Sequence, residues 1–391
     1  MNIMKKIFTI MAMLMLTVGI FAQDLAVSMK TDKLTGSNIT LSLVAGGTGS
    51  FYIDWGDGTL NPYTISGNTG APTTITQAIP VDKAVIKLYV QGKYITFLTC
   101  SNNELTELDV TPSSTIVYLR CFTNKLTSID VSTNLNLALF YPYGNQLTSL
   151  DVSNNTKISD LQCGTNKITN ITGLENLTAL RVLATMTNPL THTLNIREKT
   201  ALQTINARNC NQTSLDVTGC TALTTIEIFN GGATYANNFS ACDLDDLYNT
   251  LPDRTGLATA NLRVIYTPAN PLGNDVDGSD KTIATAKNWN VNYYNSTVSY
   301  FTGDGGGCIS TNNLAPELTD FSLSPNPTKG LVQINIAGET SGRHLRIMDI
   351  SGRLIQERTV TAAEMTLDTS GFPKGVYLIS TGRNIQKLVV E

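Results

Sequence analysis

The sequence predicts a mostly β protein: a repeating solenoid between a β-rich N-terminal cap and a helix-strand C-terminal cap, then a C-terminal β-sandwich. Three observations carry this. A pattern of apolar, Asn and Asp positions returns every 21 or 22 residues through the middle of the 391-residue chain, and a fixed period of that length is the signature of stacked coils. Only 15% of residues are charged, while Thr, Asn, Gly and Ser are abundant, which suits β structure with turns closed by short polar side chains. Residues 321–391 are short alternating segments split by Gly and Pro, the pattern of a sandwich.

In chain order, residues 1–23 read as a signal peptide. Lys5 and Lys6 supply the positive start, and Ile7 to Ala22 form an apolar run ending in small residues near Ala22 and Gln23. An uncleaved anchor is the alternative, for which the run is slightly short. No later segment is apolar enough to span a bilayer, so no transmembrane anchor is expected in the mature protein. The net charge of −4 argues against nucleic acid as a partner, since such binders carry a basic face. His192 and His344 are the only histidines, which leaves little material for His-based metal or acid–base chemistry. Seven cysteines are present. Their spacing fits no zinc pattern, and an odd number in an exported chain leaves at least one thiol over.

Residues 24–95 alternate as short strands and form the N-terminal cap. Asp-Gly within Trp55-Gly56-Asp57-Gly58-Thr59 is a tight-turn signal. This stretch resembles the Trp-x-Gly-Asp-Gly turn of polycystic-kidney-disease-like sandwiches, without the aromatic usual between Trp and Gly. A calcium role for Asp54 and Asp57 has no further support in the sequence.

Residues 96–232 carry the repeat. From Leu98 it runs Leu-x-Cys-x-x-Asn-x-Leu-Thr-x-Leu-Asp-Val, recurring from Leu119, Phe140 and Leu161, with looser copies from Leu183, Ile205 and Ile226. These residues resemble the leucine-rich-repeat family over about residues 86–232. Strand side chains alternate, so the Leu98 and Cys100 positions point inward, and Cys100, Cys121 and Cys163 are expected as buried thiols, a thiolate metal ladder being the alternative. Asn103, Asn124, Asn145, Asn166 and Asn188 should turn inward and satisfy backbone groups at the bend, with Cys210 taking that column in the sixth turn. The Asp column (Asp109, Asp130, Asp151, Asp216) should be offset by hydrogen bonds from turn amides and the following Ser or Thr, a bound cation being the alternative.

Two outward columns remain on the concave sheet, and they hold the candidate ligand-binding residues: Arg120, Phe122, Tyr141, Tyr143, Gln162, Arg208 and Phe229. Neighbouring coils stack about 5 Å apart, so Arg120, Phe122, Tyr141 and Tyr143 should form one exposed patch of the kind that anchors interfaces. Scattered exposed aromatics are also ordinary on sheets.

Residues 233–300 form the C-terminal cap, with a short helix from Leu244 to Leu251, begun near Ser240 or Asp243 and stopped by Pro252. A strand at Leu262 to Tyr266, a helical turn from Ile283 and a strand at Trp289 to Tyr293 follow. Asp275, Asp277 and Asp280 do not make a calcium loop, because Gly278 comes too early and no Glu closes it. Residues 301–320 read as a linker, in which Cys308 is either the leftover thiol or a tether to Cys242.

Residues 321–391 hold four ordered motifs: Pro325-Asn326-Pro327 with Gly330, Asp349 with Gly352-Arg353, Gly375-Val376-Tyr377, and Lys387-Leu-Val-Val390. Together they resemble the C-terminal sorting domain of the type IX secretion system of Bacteroidetes-type bacteria, apart from slack at Leu323-Ser324. The resemblance implies the secretion machinery and its sortase as partners, removal of the domain near the linker, and release or anchoring at the cell surface.

Function is therefore expected to be non-catalytic binding or adhesion of an extracellular protein or glycan, with no cofactor and no metal. A secreted carbohydrate-active hydrolase is one alternative, since paired carboxylates would suffice for it. A structural surface-layer component is another.

Overall fold

The computed structural model describes residues 23–65, 71–231, 235–265, 274, 276, 278–293, 321–336, 344–349, 354–360, 362–380 and 385–391. Residues 1–22 of the expected signal peptide and the expected linker with Cys308 lie outside them. The chain divides into two compact units, Met1–Asp275 with Lys281–Phe301, and Val276–Asp280 with Thr302–Glu391.

The first unit is organised by one 14-stranded sheet. It begins with β1 (Asp24–Thr31), β2 (Asn38–Asp54), β3 (Leu60–Tyr63), β4 (Thr73–Ala78) and β5 (Val85–Thr99). β2 buries Ile39, Leu41, Leu43 and Ala45, then shifts register before Phe51 and Ile53. Gly49 makes the shift possible: at φ +122° a Cβ there would fall on the Gln91 carbonyl, and only glycine tolerates that approach. The expected hairpin joins β2 to β3, with Asp54 Oδ1 accepting from the amides of Gly56 (2.8 Å) and Gly58 (3.0 Å).

β5 runs without a break into the solenoid. Its residues Phe97–Thr99 pair in parallel with β7 (Tyr118–Arg120), so the division expected at residue 95 falls inside one strand. β6 (Leu105–Asp109) folds back onto β1. The parallel ladder continues through β8 (Leu139–Tyr141), β10 (Asp160–Gln162), β12 (Val182–Ala184), β13 (Thr204–Asn206) and β14 (Thr225–Glu227), while β9 (Leu150–Asp151) and β11 (Ile171–Thr172) pair on a second face. Leu98, Leu119, Phe140, Leu161, Leu183, Ile205 and Ile226 are all fully buried. One coil cannot bury this face alone, so stacking supplies the stability.

The inward Asn column is a hydrogen-bond ladder. Asn145 is typical: Nδ2 donates to the carbonyls of Cys121 (3.0 Å) and Pro142 (3.0 Å), and Oδ1 accepts from the Leu126 amide (3.1 Å). Asn124, Asn166 and Asn188 repeat the pattern. Asn103 opens the ladder on Thr40 of β2, accepting from its amide and donating to its carbonyl. Cys100, Cys121, Cys163, Cys210 and Cys220 are buried free thiols, and burial pushes the Cys100 and Cys163 thiols up to about 12. Cys242 is disulfide-bonded.

The expected C-terminal cap does more than cover an end. Helix α1 (Ala241–Thr250) starts at Ser240 with a capping box, Ser240 Oγ accepting from the Asp243 amide while Asp243 accepts from that of Ser240. Then β15 (Ala260–Ile265), α2 (Thr282–Thr285) and β16 (Trp289–Tyr293) follow, and both strands extend the same parallel sheet. Asn237 and Asn274 prolong the Asn ladder, Asn237 donating to the carbonyls of Ala207 and Ile228 and Asn274 to those of Ile228 and Val264.

The second unit contains two antiparallel sheets. One is β17 (Phe321–Ser324), β18 (Leu331–Ile336) and β21 (Glu364–Asp368); the other is β20 (Leu354–Thr359), β19 (His344–Asp349), β22 (Gly375–Ser380) and β23 (Ile385–Val390). Alternating residues such as Val332, Ile334, Ile347, Leu367, Ile379 and Leu388 make one apolar core, as a sandwich requires.

Candidate functional site on the parallel sheet

The outward positions of β5, β7, β8 and β10 bring the predicted cluster together. Arg120 sits between two rings, its guanidinium carbon 5.6 Å from the Phe97 centroid and 5.4 Å from that of Tyr141. That is cation–π geometry, worth about 0.5–2 kcal/mol per contact. Two residues on, just past the ends of β7 and β8, Phe122 and Tyr143 stack face to face, with centroids 4.6 Å apart and planes 4° from parallel. The stack follows from register. Parallel strands place equivalent residues of successive coils side by side, and two aromatics there have the spacing of a stacked pair.

Polar groups border the rings. Tyr141 donates its phenol proton to Asp160 Oδ2 at 2.7 Å, and Gln162 Nε2 donates to Asp160 Oδ1 at 3.1 Å. Burial, then the bond to Asp160, push the Tyr141 phenol well up, so it stays a donor. Arg120, Phe122, Tyr141, Tyr143 and Gln162 are all partly exposed.

Arg208 and Phe229 form a second group. The Arg208 guanidinium lies 5.6 Å from the Phe229 centroid and donates to Met186 Sδ at 3.5 Å. Phe229 corrects the expectation of an exposed ligand contact, because its side chain is fully buried. The chain after β14 leaves the short repeat, Asn230 and Asn237 tie it back, and the ring becomes core. Beyond it, Glu227 pairs with Arg263 at 2.5 Å and accepts from Asn206 at 2.9 Å.

Sequence reasoning overlooked a third outward column, two residues before Thr99, Arg120 and Gln162. It contributes Phe97, Tyr118 and Asp160, all on this face; Phe97 and Tyr118 approach to 6.2 Å between centroids. The signal was available, since outward positions recur every two residues along a strand.

The Asp column is satisfied by its own turns. Asp109, Asp130, Asp151 and Asp216 accept from the amides of Thr111, Ser132, Ser153 and Thr218 at 2.8–2.9 Å. Among the described residues no cluster of His, Cys, Asp and Glu could hold a metal ion. His192 and Glu175 share one surface cleft, lined also by Thr169, Thr172 and Asn195, where His192 Nδ1 lies 3.0 Å from Thr191 Oγ1.

In the second unit, the sorting-motif residues are joined to one another. Asn326 Nδ2 donates to the Lys387 carbonyl, and its Oδ1 accepts from the Val389 amide at 2.9 Å. Pro325 and Pro327 flank it and are exposed. Thr369 closes onto the Gly330 carbonyl through its amide (2.9 Å) and hydroxyl. Gly375 opens β22, in which Tyr377 donates to the Pro373 carbonyl at 2.6 Å and pairs across the ladder with Asp349. Gly352 and Arg353 lie outside the described residues.

Comparison with known proteins identifies this second unit. Residues 322–391 match the family model described as the secretion system C-terminal sorting domain. No curated protein matches the chain. Among solved structures, the functional domain of InlJ from Listeria monocytogenes, described as including a cysteine ladder, is similar at 21% identity. That match covers 76% of this chain and 67% of the other, with a TM-score of 0.37. No helix among the described residues is long and apolar enough to cross a membrane. Residues 322–391 are thus a type IX secretion sorting domain, carried by an exported chain whose preceding part is a solenoid of stacked parallel coils.

Proposed function

We propose that this protein is a non-catalytic binding or adhesion module of the cell surface or extracellular space, gripping a protein or glycan with its concave sheet. One observation carries the reading: Arg120, Phe122, Tyr141 and Tyr143 form a partly exposed cluster whose side chains are held by one another. Aromatic and Arg side chains fixed in this way lose little entropy on binding and dominate interface energies. The sorting domain directs the chain to the type IX machinery, and in the same proposal its sortase removes it near residues 301–320 after a signal peptide at residues 1–23 has started export.

Screening the full chain on protein and glycan arrays, beside a Phe122→Ser/Tyr143→Ser variant, tests the site. The variant should retain its thermal unfolding temperature and lose the hits. Unchanged hits would remove the concave cluster from the function.

A further inference from the structure

Arg120 differs from the other charged groups on this face of the parallel sheet. Glu227 is paired with Arg263 and Asn206, and Asp160 with Tyr141 and Gln162. The Arg120 guanidinium makes no ion pair or hydrogen bond among the described residues, and its Nε is buried without an acceptor. A guanidinium keeps its charge at every physiological pH and offers five N–H donors in a planar fork. A buried donor without an acceptor is costly. No oxygen of the described residues pairs with it, and the rings of Phe97 and Tyr141 hold the fork in place.

We propose that Arg120 anchors a carboxylate-binding subsite and that the ligand is an acidic polysaccharide, its uronate carboxylate on Arg120 and its hydroxyls on Asp160, Gln162 and Tyr143. This rests on the concave-face reading above and names the ligand class. Charge complementarity selects the carboxylate, since planar anions match the guanidinium fork. Two observations select a sugar over a peptide. The strands carrying the site lie inside a parallel sheet, their backbone groups already committed to the ladder, so a peptide finds no free edge for β-pairing. The bordering groups are separate side chains, the Asp160 carboxylate among them. They suit hydroxyls, which both donate and accept, and Asp160 repels a closely spaced run of Glu or Asp.

The test is calorimetric titration of the full chain with an oligogalacturonate, its methyl ester, and an oligoglutamate. The oligogalacturonate should bind, and esterification should weaken it by about tenfold or more. Arg120→Gln should lose the same factor toward the acid and no longer separate acid from ester. Arg120→Lys should keep part of the preference, having the charge without the fork. Absence of oligogalacturonate binding, equal binding of the ester, an unaffected Arg120→Gln, or equal binding of oligoglutamate would each overturn the proposal. The Phe122→Ser/Tyr143→Ser variant separates two failures. If acid and ester bind equally and this variant abolishes both, the carboxylate subsite fails and the concave site stands. If the acid binds and no variant weakens it, the concave site itself fails. Unchanged thermal unfolding shows that each variant is folded.

Discussion

Asn145→Ala should be among the most damaging single substitutions in the solenoid, and its cost can be worked bond by bond. The side chain donates to two carbonyls at 3.0 Å and supplies the acceptor for the Leu126 amide; its longer 3.4 Å bond to the Tyr143 carbonyl adds little, since that carbonyl also accepts from the Thr123 amide. The two carbonyls keep a second donor each, because Asn124 also reaches Cys121 and Asn166 also reaches Pro142. Losing those two bonds costs about 0.5–1.5 kcal/mol apiece. The Leu126 amide has no such reserve, and a buried donor left unpaired costs about 1–3 kcal/mol. The expected loss is therefore about 2–6 kcal/mol, a large part of the roughly 5–15 kcal/mol that holds a typical domain. Urea denaturation of the full chain measures it. Asn154→Ala is the control, because that side chain makes one exposed 3.3 Å bond to Ser132; it should cost under about 0.5 kcal/mol. If Asn145→Ala cost no more than Asn154→Ala, water or backbone shifts would be replacing the lost bonds, and the Asn ladder would not be what holds successive coils together.

The buried thiols should resist chemistry: with Cys100 and Cys163 pushed up to about 12, iodoacetamide at pH 8 should leave them unmodified in the native chain and label them in denaturant, as read by mass spectrometry. Native-state labelling at the unfolded rate would contradict their burial. Bonds from the Ser153 hydroxyl and amide hold Asp151 below the ordinary carboxylate range, so its stabilisation is complete above about pH 4 and disappears as pH falls through the lower folded value. Asp151→Asn should shift the urea midpoint slightly at pH 7 (under about 1 kcal/mol for so exposed a group) and leave no difference near pH 2. In the sorting domain, Asn326→Ala should cost about 1 kcal/mol, its bonds being exposed, whereas Leu388→Ala in the core should cost about 2–5 kcal/mol; limited proteolysis of the intact chain ranks the two.

The coil was legible because it repeats. Leu98, Cys100, Asn103 and Asp109 declare inward, inward, ladder and turn positions, and equal spacing carries that assignment to every equal coil. Legibility stopped where spacing changed. Asn237 and Asn274 do the work of Asn145, but insertions that include α1 move them off the period. A second polar column was hidden because its residue types differ. Asn134 and Asn155 donate to carbonyls of the preceding coil, and further along Lys199 Nζ does so instead, reaching Glu175 O at 3.2 Å and Leu177 O at 3.3 Å. A lysine can replace an asparagine there because only donors are needed, an equivalence that a residue pattern does not display. Phe229 failed for a different reason. Strand alternation gives the direction of a side chain and says nothing about what the next coil lays over it.

The sorting motifs invite a related distinction between residues that build the domain and residues a partner can read. The Pro-Asn-Pro block and the terminal Lys-x-Val-Val stand at opposite ends of the sequence, yet Asn326 binds the backbone of Lys387 and Val389, and Thr328 exchanges bonds with Val389 and Glu391. Leu388 and Val390 are core. Folding alone thus accounts for the pairing of first and last motif, for Gly330 beneath Thr369, and for the Tyr377 bond to Pro373. It does not account for the Lys387 side chain, which is exposed while only its backbone is used. If that mark were purely structural, any residue with the same strand preference would serve there. Lys387 is accordingly the position of this domain where recognition by the secretion machinery can be separated from stability.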